Sequence, residues 1–467
     1  MKVVWSLRNE IQPRMEFLNR SFYQRFFRRN QKVISDFLIF IFYFIISGIL
    51  ARYFGGLLKS PDSIGYEQFS VEPWRLIGDW HPPGPSYILF LGAKFGMSSF
   101  TCYQILASLL CFSFYKILEL KTNWKWAFFW SFLFFLEPAW MVLRMTLWSE
   151  LPFVLGFALV GLFLSMRNLS LVIKGGVVIL LTLVTLQFRL AGIFFFPAII
   201  IALGQRWKGN KWIFHYRQSA LWGAALLMGW MLMNFAVTGH PFQSSRKIGN
   251  AASCRSVLVS LNQFPYCDWN PSLEICSYDP ERKVIGNPLL SQDDAALVQL
   301  QDSSLIMMYK IEHPESICGV QQKVMGLIMA HAPFKFMGLV LHRIWNHFGL
   351  WGFTERSSPR PGFGHMDRIV LLDDYLEYAN HPQHFIQVLL IVVSLAIFLI
   401  PGFRNEMIYF WLAAVGHAAG ISLVNPFLAL RYEAVSKFFL FLCIGYFIFW
   451  NKKSLKNSRP IHRKANL

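Results

Sequence analysis

Ten apolar runs recur along this chain, over 33–53, 98–118, 126–136, 148–166, 171–186, 190–203, 220–237, 385–400, 407–424 and 438–450. A helical bilayer span needs about 17 to 25 mainly apolar residues, whereas a helix on the surface of a soluble protein keeps a polar face. No soluble core absorbs so many runs. The shorter ones imply tilted or broken spans. With 55% hydrophobic and 15% charged residues, the chain reads as an all-α polytopic membrane protein of about ten transmembrane helices. The run at 33–53 begins too late and extends too far for a cleaved signal peptide.

The formal net charge of +18 would point to nucleic acid in a soluble protein, but here it follows topology. Placing the N-terminus inside makes 1–32, 116–125, 167–174, 204–217, 401–406 and 451–467 the inner segments, and these hold 24 Lys/Arg against four acids. The long segment 239–384 holds 12 Lys/Arg and 14 acids. That asymmetry is the positive-inside pattern, and an even span number returns both termini to the cytoplasm. The basic tails then face anionic lipid, with no nucleic-acid partner. The expected organisation is a basic N-terminus (1–32), helices one to seven (33–237) with a first outer loop at 54–97, an outer mixed domain (238–384), helices eight to ten (385–450) and a basic tail (451–467). The aromatic stretch 17–27 reads as an interfacial helix, and the 46 Phe and 17 Trp as lipid-facing and interfacial residues. Cys102, Cys111 and Cys443 fall in apolar runs. Cys254, Cys267, Cys276 and Cys318 lie in the outer segment, where two disulfides of open pairing are expected.

Ionisable groups concentrate in the first outer loop, with Pro61-Asp62-Ser63-Ile64-Gly65-Tyr66-Glu67 followed by Gly78-Asp79-Trp80-His81-Pro82-Pro83-Gly84-Pro85. Asp62 follows a span closely, so its carboxylate belongs at the boundary of membrane and water, where a base meets an acceptor. The alternative for Asp62 is capping of a short helix starting at Ser63. Pro82 and Pro83 lock the backbone after His81. Glu137 and Arg144 flank an expected short turn, with Arg144 reaching toward lipid phosphates; Glu150 opens a span, and Arg189 separates two apolar runs at an outer boundary. Near the C-terminus Arg431 and Tyr432 emerge on the side of Asp62, where a guanidinium grips a phosphate bidentately. His381 and His384 read as a loop before a span rather than as metal ligands, and the sequon at Asn168 falls on the inner side.

The order of these elements resembles the GT-C glycosyltransferases, in the branch of protein O-mannosyltransferases, lipid A aminoarabinose transferases and bacterial lipopolysaccharide glycosyltransferases. The resemblance rests on Pro-Asp-Ser-Ile-Gly-Tyr, Trp-His-Pro-Pro-Gly-Pro, a Ser-Glu opening a later span, Phe-Arg-Leu-Ala-Gly, and Leu-Arg-Tyr before the last span. It implies a GT-C-like fold in a bacterial inner membrane, with the active site facing the periplasm. It further implies a polyprenyl-phosphate sugar as donor and a glycan, lipid or protein hydroxyl as acceptor. Asp62 matches the family's first-loop acid. Arg431 and Tyr432 match its late Arg-Tyr element near the donor phosphate, joined there by Arg189 and His81, although some members carry Lys where His81 stands. Members with two adjacent first-loop acids differ from this chain, in which Ser63 follows Asp62; the second-acid and acceptor candidates are Glu67, Asp79, Tyr66 and Glu150. Some members use a divalent metal ion, and no metal ligands are assigned here. The reading from a different class is a transporter or lipid flippase with an outer domain, which calls for charges at mid-bilayer depth instead of at span ends.

Overall fold

The computed structural model describes residues 31–53, 61–77, 82–166, 169–208, 211–241, 383–424 and 430–457, with parts of 334–348. Nearly all of this is helix: α1 (Gln31–Tyr53), α2 (Pro61–Gln68), α3 (Gly84–Lys94), α4 (Ser99–Glu119), α5 (Trp124–Phe135), α6 (Pro138–Met145), α7 (Glu150–Ser165), α8 (Leu171–Leu186), α9 (Phe196–Gly204), α10 (Tyr216–Thr238), α11 (Gln383–Leu399), α12 (Pro401–Val424) and α13 (Leu430–Asn457). Each of the ten apolar runs is helical. Three helices, α1, α4 and α10, are long and apolar enough to cross a membrane by length and composition. The 16 residues of α7 or α8 rise only about 24 Å, against a hydrocarbon core of about 30 Å.

Several expectations need correction. The run at 190–203 is not one helix but a 3-10 segment, Leu190–Phe195, followed by α9. Pro197 starts α9 well because its missing N–H lies in the first turn, while Gly192 is pressed against Leu186 and Phe157, where a Cβ would lie 2.6 and 3.2 Å from them. The expected turn between Glu137 and Arg144 is helix α6, N-capped by the Glu137 carboxylate accepting from the Trp140 N–H at 2.9 Å. Helix α2 begins at Pro61, so Asp62 stands inside its first turn and not at a cap before Ser63. An antiparallel hairpin, β1 (Gln205–Lys208) and β2 (Lys211–Phe214), pairs Gln205 with Phe214 and Lys208 with Lys211. Cys102, Cys111 and Cys443 are buried free thiols; the other four cysteines, His381, Asn168 and most of 238–384 lie outside the described residues.

Two thirds of the most apolar stretch of α4 is buried, but only about a sixth of α1 and α10. Helix α4 is therefore central, and α1 and α10 turn large apolar side chains such as Phe37, Ile49, Leu221 and Met228 outward. Around α4 pack α5, α7 and α13, and α12 lies against α13, α9 and the 3-10 segment. Aromatic rings fill the centre. Phe114 stacks on Phe134 at 4.4 Å, both meet Phe438 at 5.4 Å, and Phe157 stacks on Phe195 at 3.9 Å. The indole N–H groups of Trp126 and Trp130 donate to the Gly445 and Phe441 carbonyls at 2.9 and 2.8 Å, so α5 and α13 run antiparallel in one register.

Candidate functional site

The starts of α7 and α13 and the ends of α5 and α8 gather at one end of the bundle. Helix α7 starts there at Glu150 and places Ser165 about 22 Å away at the other end; α8 runs back toward it and ends at Leu186. Since α5 and α13 are antiparallel, the end of α5, then α6, and the start of α13 share this level, with the Trp140 ring 5.6 Å from Phe438.

The first loop is tied to these helix ends by bonds to backbone. Ser63 Oγ donates to the Leu147 carbonyl at 2.7 Å, and Ser86 Oγ to the Tyr66 carbonyl at 2.9 Å. The Gly84 N–H donates to the Gln187 carbonyl at 3.0 Å. Residue 84 must be glycine for that approach, because a Cβ would collide with the Phe188 ring and lie 2.9 Å from the Gln187 oxygen. From α4, the Tyr103 hydroxyl donates to the Trp148 carbonyl at 3.0 Å. The segments before α7 and after α8 are thereby held against α2, α3 and α4.

Between these anchored segments lies an ion pair. Glu150 is 1% exposed and its carboxylate binds the Arg189 guanidinium, whose NH1 also meets Ser149 Oγ at 3.3 Å. Arg189 sits in extended backbone, φ −161° and ψ 135°, between α8 and the 3-10 segment, so its side chain leaves the α8 axis toward α7. A carboxylate this deeply buried needs a cation at contact, because an uncompensated buried charge is strongly destabilising. Glu150 and Arg189, which the sequence listed under different roles, are one unit.

Arg144 does not reach toward lipid phosphates. It is 3% exposed, with NH2 donating to the Phe135 carbonyl at 2.8 Å, Nε to the Trp140 carbonyl at 3.2 Å, and the guanidinium stacked 3.6 Å from the Phe135 ring centroid. Helix α6 folds back on α5, and one backbone carbonyl from each helix holds this cation.

Asp62 is the second residue of α2, one residue before the Ser63 anchor. Arg431 and Tyr432 occupy the first turn of α13, at the same end of the bundle. The side chains of these three residues lie outside the described part, as do His81 and Asp79 entirely. Tyr66 is buried and Glu67 half-buried on α2. Sequence reasoning passed over a second polar group, one level deeper. His417 on α12 is 1% exposed and meets Ser436 of α13 at 2.9 Å through Nδ1, between the rings of Phe153 and Phe195, with the fully buried Lys437 next in sequence. The available signal was one ionisable residue inside or beside each of two apolar runs.

Among the described residues no three His, Cys, Asp or Glu side chains gather closely enough to hold a metal ion, and Glu150 is already engaged by Arg189. What the arrangement supplies is a half-buried guanidinium oriented by a fully buried carboxylate, beside a first loop seated by bonds to backbone. No family model matches this chain, and no curated protein and no solved structure matches it either.

Proposed function

We infer that the chain is a ten-span GT-C-type membrane glycosyltransferase that moves a sugar from a polyprenyl phosphate to an acceptor hydroxyl on a cell-envelope glycan, lipid or protein. The observation that carries this reading is the seating of α2: Ser63 beside Asp62 is bonded to the segment that leads into Glu150, while Gly84 is bonded to the segment that leads into Arg189. An acid at a rim and a guanidinium held by a second carboxylate are the two charges such a transfer needs. In the proposed reaction Asp62 accepts the acceptor's proton as its oxygen attacks the anomeric carbon. The carbon–oxygen bond to the lipid phosphate breaks on the opposite face, so the configuration inverts. The leaving group departs already anionic, and Arg431, assisted by Tyr432, His81 and Arg189, stabilises the charge on its oxygens.

Asp62→Asn keeps the shape of the side chain and removes the base. Cell-envelope glycans compared by mass in cells expressing the native chain, the variant, or neither should show the variant matching cells without the chain while the protein remains folded in the membrane. Glycans identical to the native pattern in the Asp62→Asn cells would remove Asp62 as the base.

A further inference from the structure

At the end of the bundle opposite the Glu150–Arg189 pair, a cavity of about 280 Å³ lies among the ends of α4, α7, α8, α9 and α12. Its polar wall is formed by Lys121, Lys174, Ser165, Gln205, Asn405 and Glu406, and leucine and aromatic side chains complete it. The charges in that wall do not cancel. Lys121 Nζ and Glu406 Oε2 pair at 2.6 Å, with side chains 6% and 9% exposed, and so form a neutral couple. Lys174 is half-buried in the first turn of α8, and its ammonium reaches the Leu164 carbonyl at 3.3 Å. Among the described residues no carboxylate lies within ion-pair reach of it. An ammonium with three donors and one long bond to a neutral oxygen, partly removed from water, is an unfinished site.

An anion would finish it. The cavity has room for about nine water-sized volumes at roughly 30 Å³ each, the scale of a small headgroup and not of an acyl chain. Amide side chains of Gln205 and Asn405 stand on the same wall as possible donors, and the leucines offer a surface for a glycerol backbone. In sequence, the segments that contribute Lys121, Lys174, Gln205 and Glu406, namely 116–125, 167–174, 204–217 and 401–406, contain ten Lys/Arg against two acids, a composition that favours anions. We propose that this cavity binds a phosphate ester anion, with Lys174 as its counter-charge and the Lys121–Glu406 couple as a wall. Basic pockets between helices recognise lipid headgroup phosphates by this chemistry, and a soluble phosphate ester shares it.

The test uses the full chain in phosphatidylcholine nanodiscs, with either phosphatidylglycerol added to the bilayer or glycerol 1-phosphate added to the buffer. One of the two probes should bind, read by native mass spectrometry and a raised unfolding temperature, and Lys174→Gln should weaken that binding about tenfold. Lys125→Gln removes a charge from the same end, where Lys125 lies over the Trp124 ring and outside the cavity, and should leave binding unchanged. Binding of the lipid alone identifies a bilayer headgroup, and binding of the soluble ester identifies a diffusible one. In the native protein, where no variant has to fold, the bound probe should also slow acetylation of Lys174 and not of Lys125. Absence of binding by both probes, equal binding by Lys174→Gln and the native chain, or unprotected Lys174 would each overturn the proposal.

Discussion

Among the described residues the two ends of this bundle share hydroxyl and amide bonds to backbone, and lysine–carboxylate pairs occur at one of them. At the end bearing Glu150 and Arg189, hydroxyl and amide donors from the first loop and α4 close on main-chain carbonyls, at Leu147, Tyr66, Trp148 and Gln187. At the other end, lysines reach across to carboxylates. Lys116 binds Asp36 at 2.8 Å and also Glu119, and Lys121 binds Glu406. Bonds from short side chains to backbone set the position of the chain itself, whereas a lysine's four-carbon stem lets its partners shift without losing contact. The first end thus fixes the position of the backbone, and the second adds lysine charge beside a cavity.

The sharpest way to break this contrast is to strand one charge at each end. Glu150→Ala leaves Arg189 without its carboxylate and should destabilise the protein by about 3 to 5 kcal/mol, and adding Arg189→Met should recover much of the loss. Glu406→Ala should cost clearly less, because Lys121 borders a cavity that water can enter. Denaturant midpoints of the three variants in detergent micelles provide the comparison, and equal losses for the two glutamates would abolish it. A smaller effect is expected from Gly84→Ala, where the added methyl must push the Phe188 ring and the Gln187 carbonyl apart, at about 1 to 3 kcal/mol. The smallest is Ser63→Ala. It deletes one buried donor to the Leu147 carbonyl and should lower stability by about 1 kcal/mol. A loss near zero there would mean that the bond to Leu147 contributes nothing to the seating of α2.

How much of this was legible in the sequence depended on the range of the interaction. Apolar runs are sums over neighbouring residues, so each of the ten falls on helical backbone, and Lys121, Lys174 and Glu406 from the charged segments between them line one cavity. What failed was decided across space. Nothing local tells Arg144 to fold back on Phe135 in place of turning outward, because that follows from α6 reversing direction after Glu137. Gly192 and Pro197 did carry a local warning that 190–203 would break, but its apolar content hid it. The pairing of Glu150 with Arg189, 39 residues apart, and of His417 with Ser436, 19 apart, needed the packing of α7 on the segment after α8 and of α12 on α13. The residues matter individually in sequence and become a site only when the helices meet.

The two indoles of α5 bear on how the last helix behaves. Sliding α13 by a single residue would displace it about 1.5 Å and turn it by roughly 100°, carrying both acceptor oxygens away from Trp126 and Trp130 together and driving a bulkier neighbour into the slot that Gly445 leaves for the Trp130 ring. Intermediate settings are excluded as well, since both pins must engage at once. The helix therefore has one allowed notch, and its first turn is delivered at a single height and a single angle.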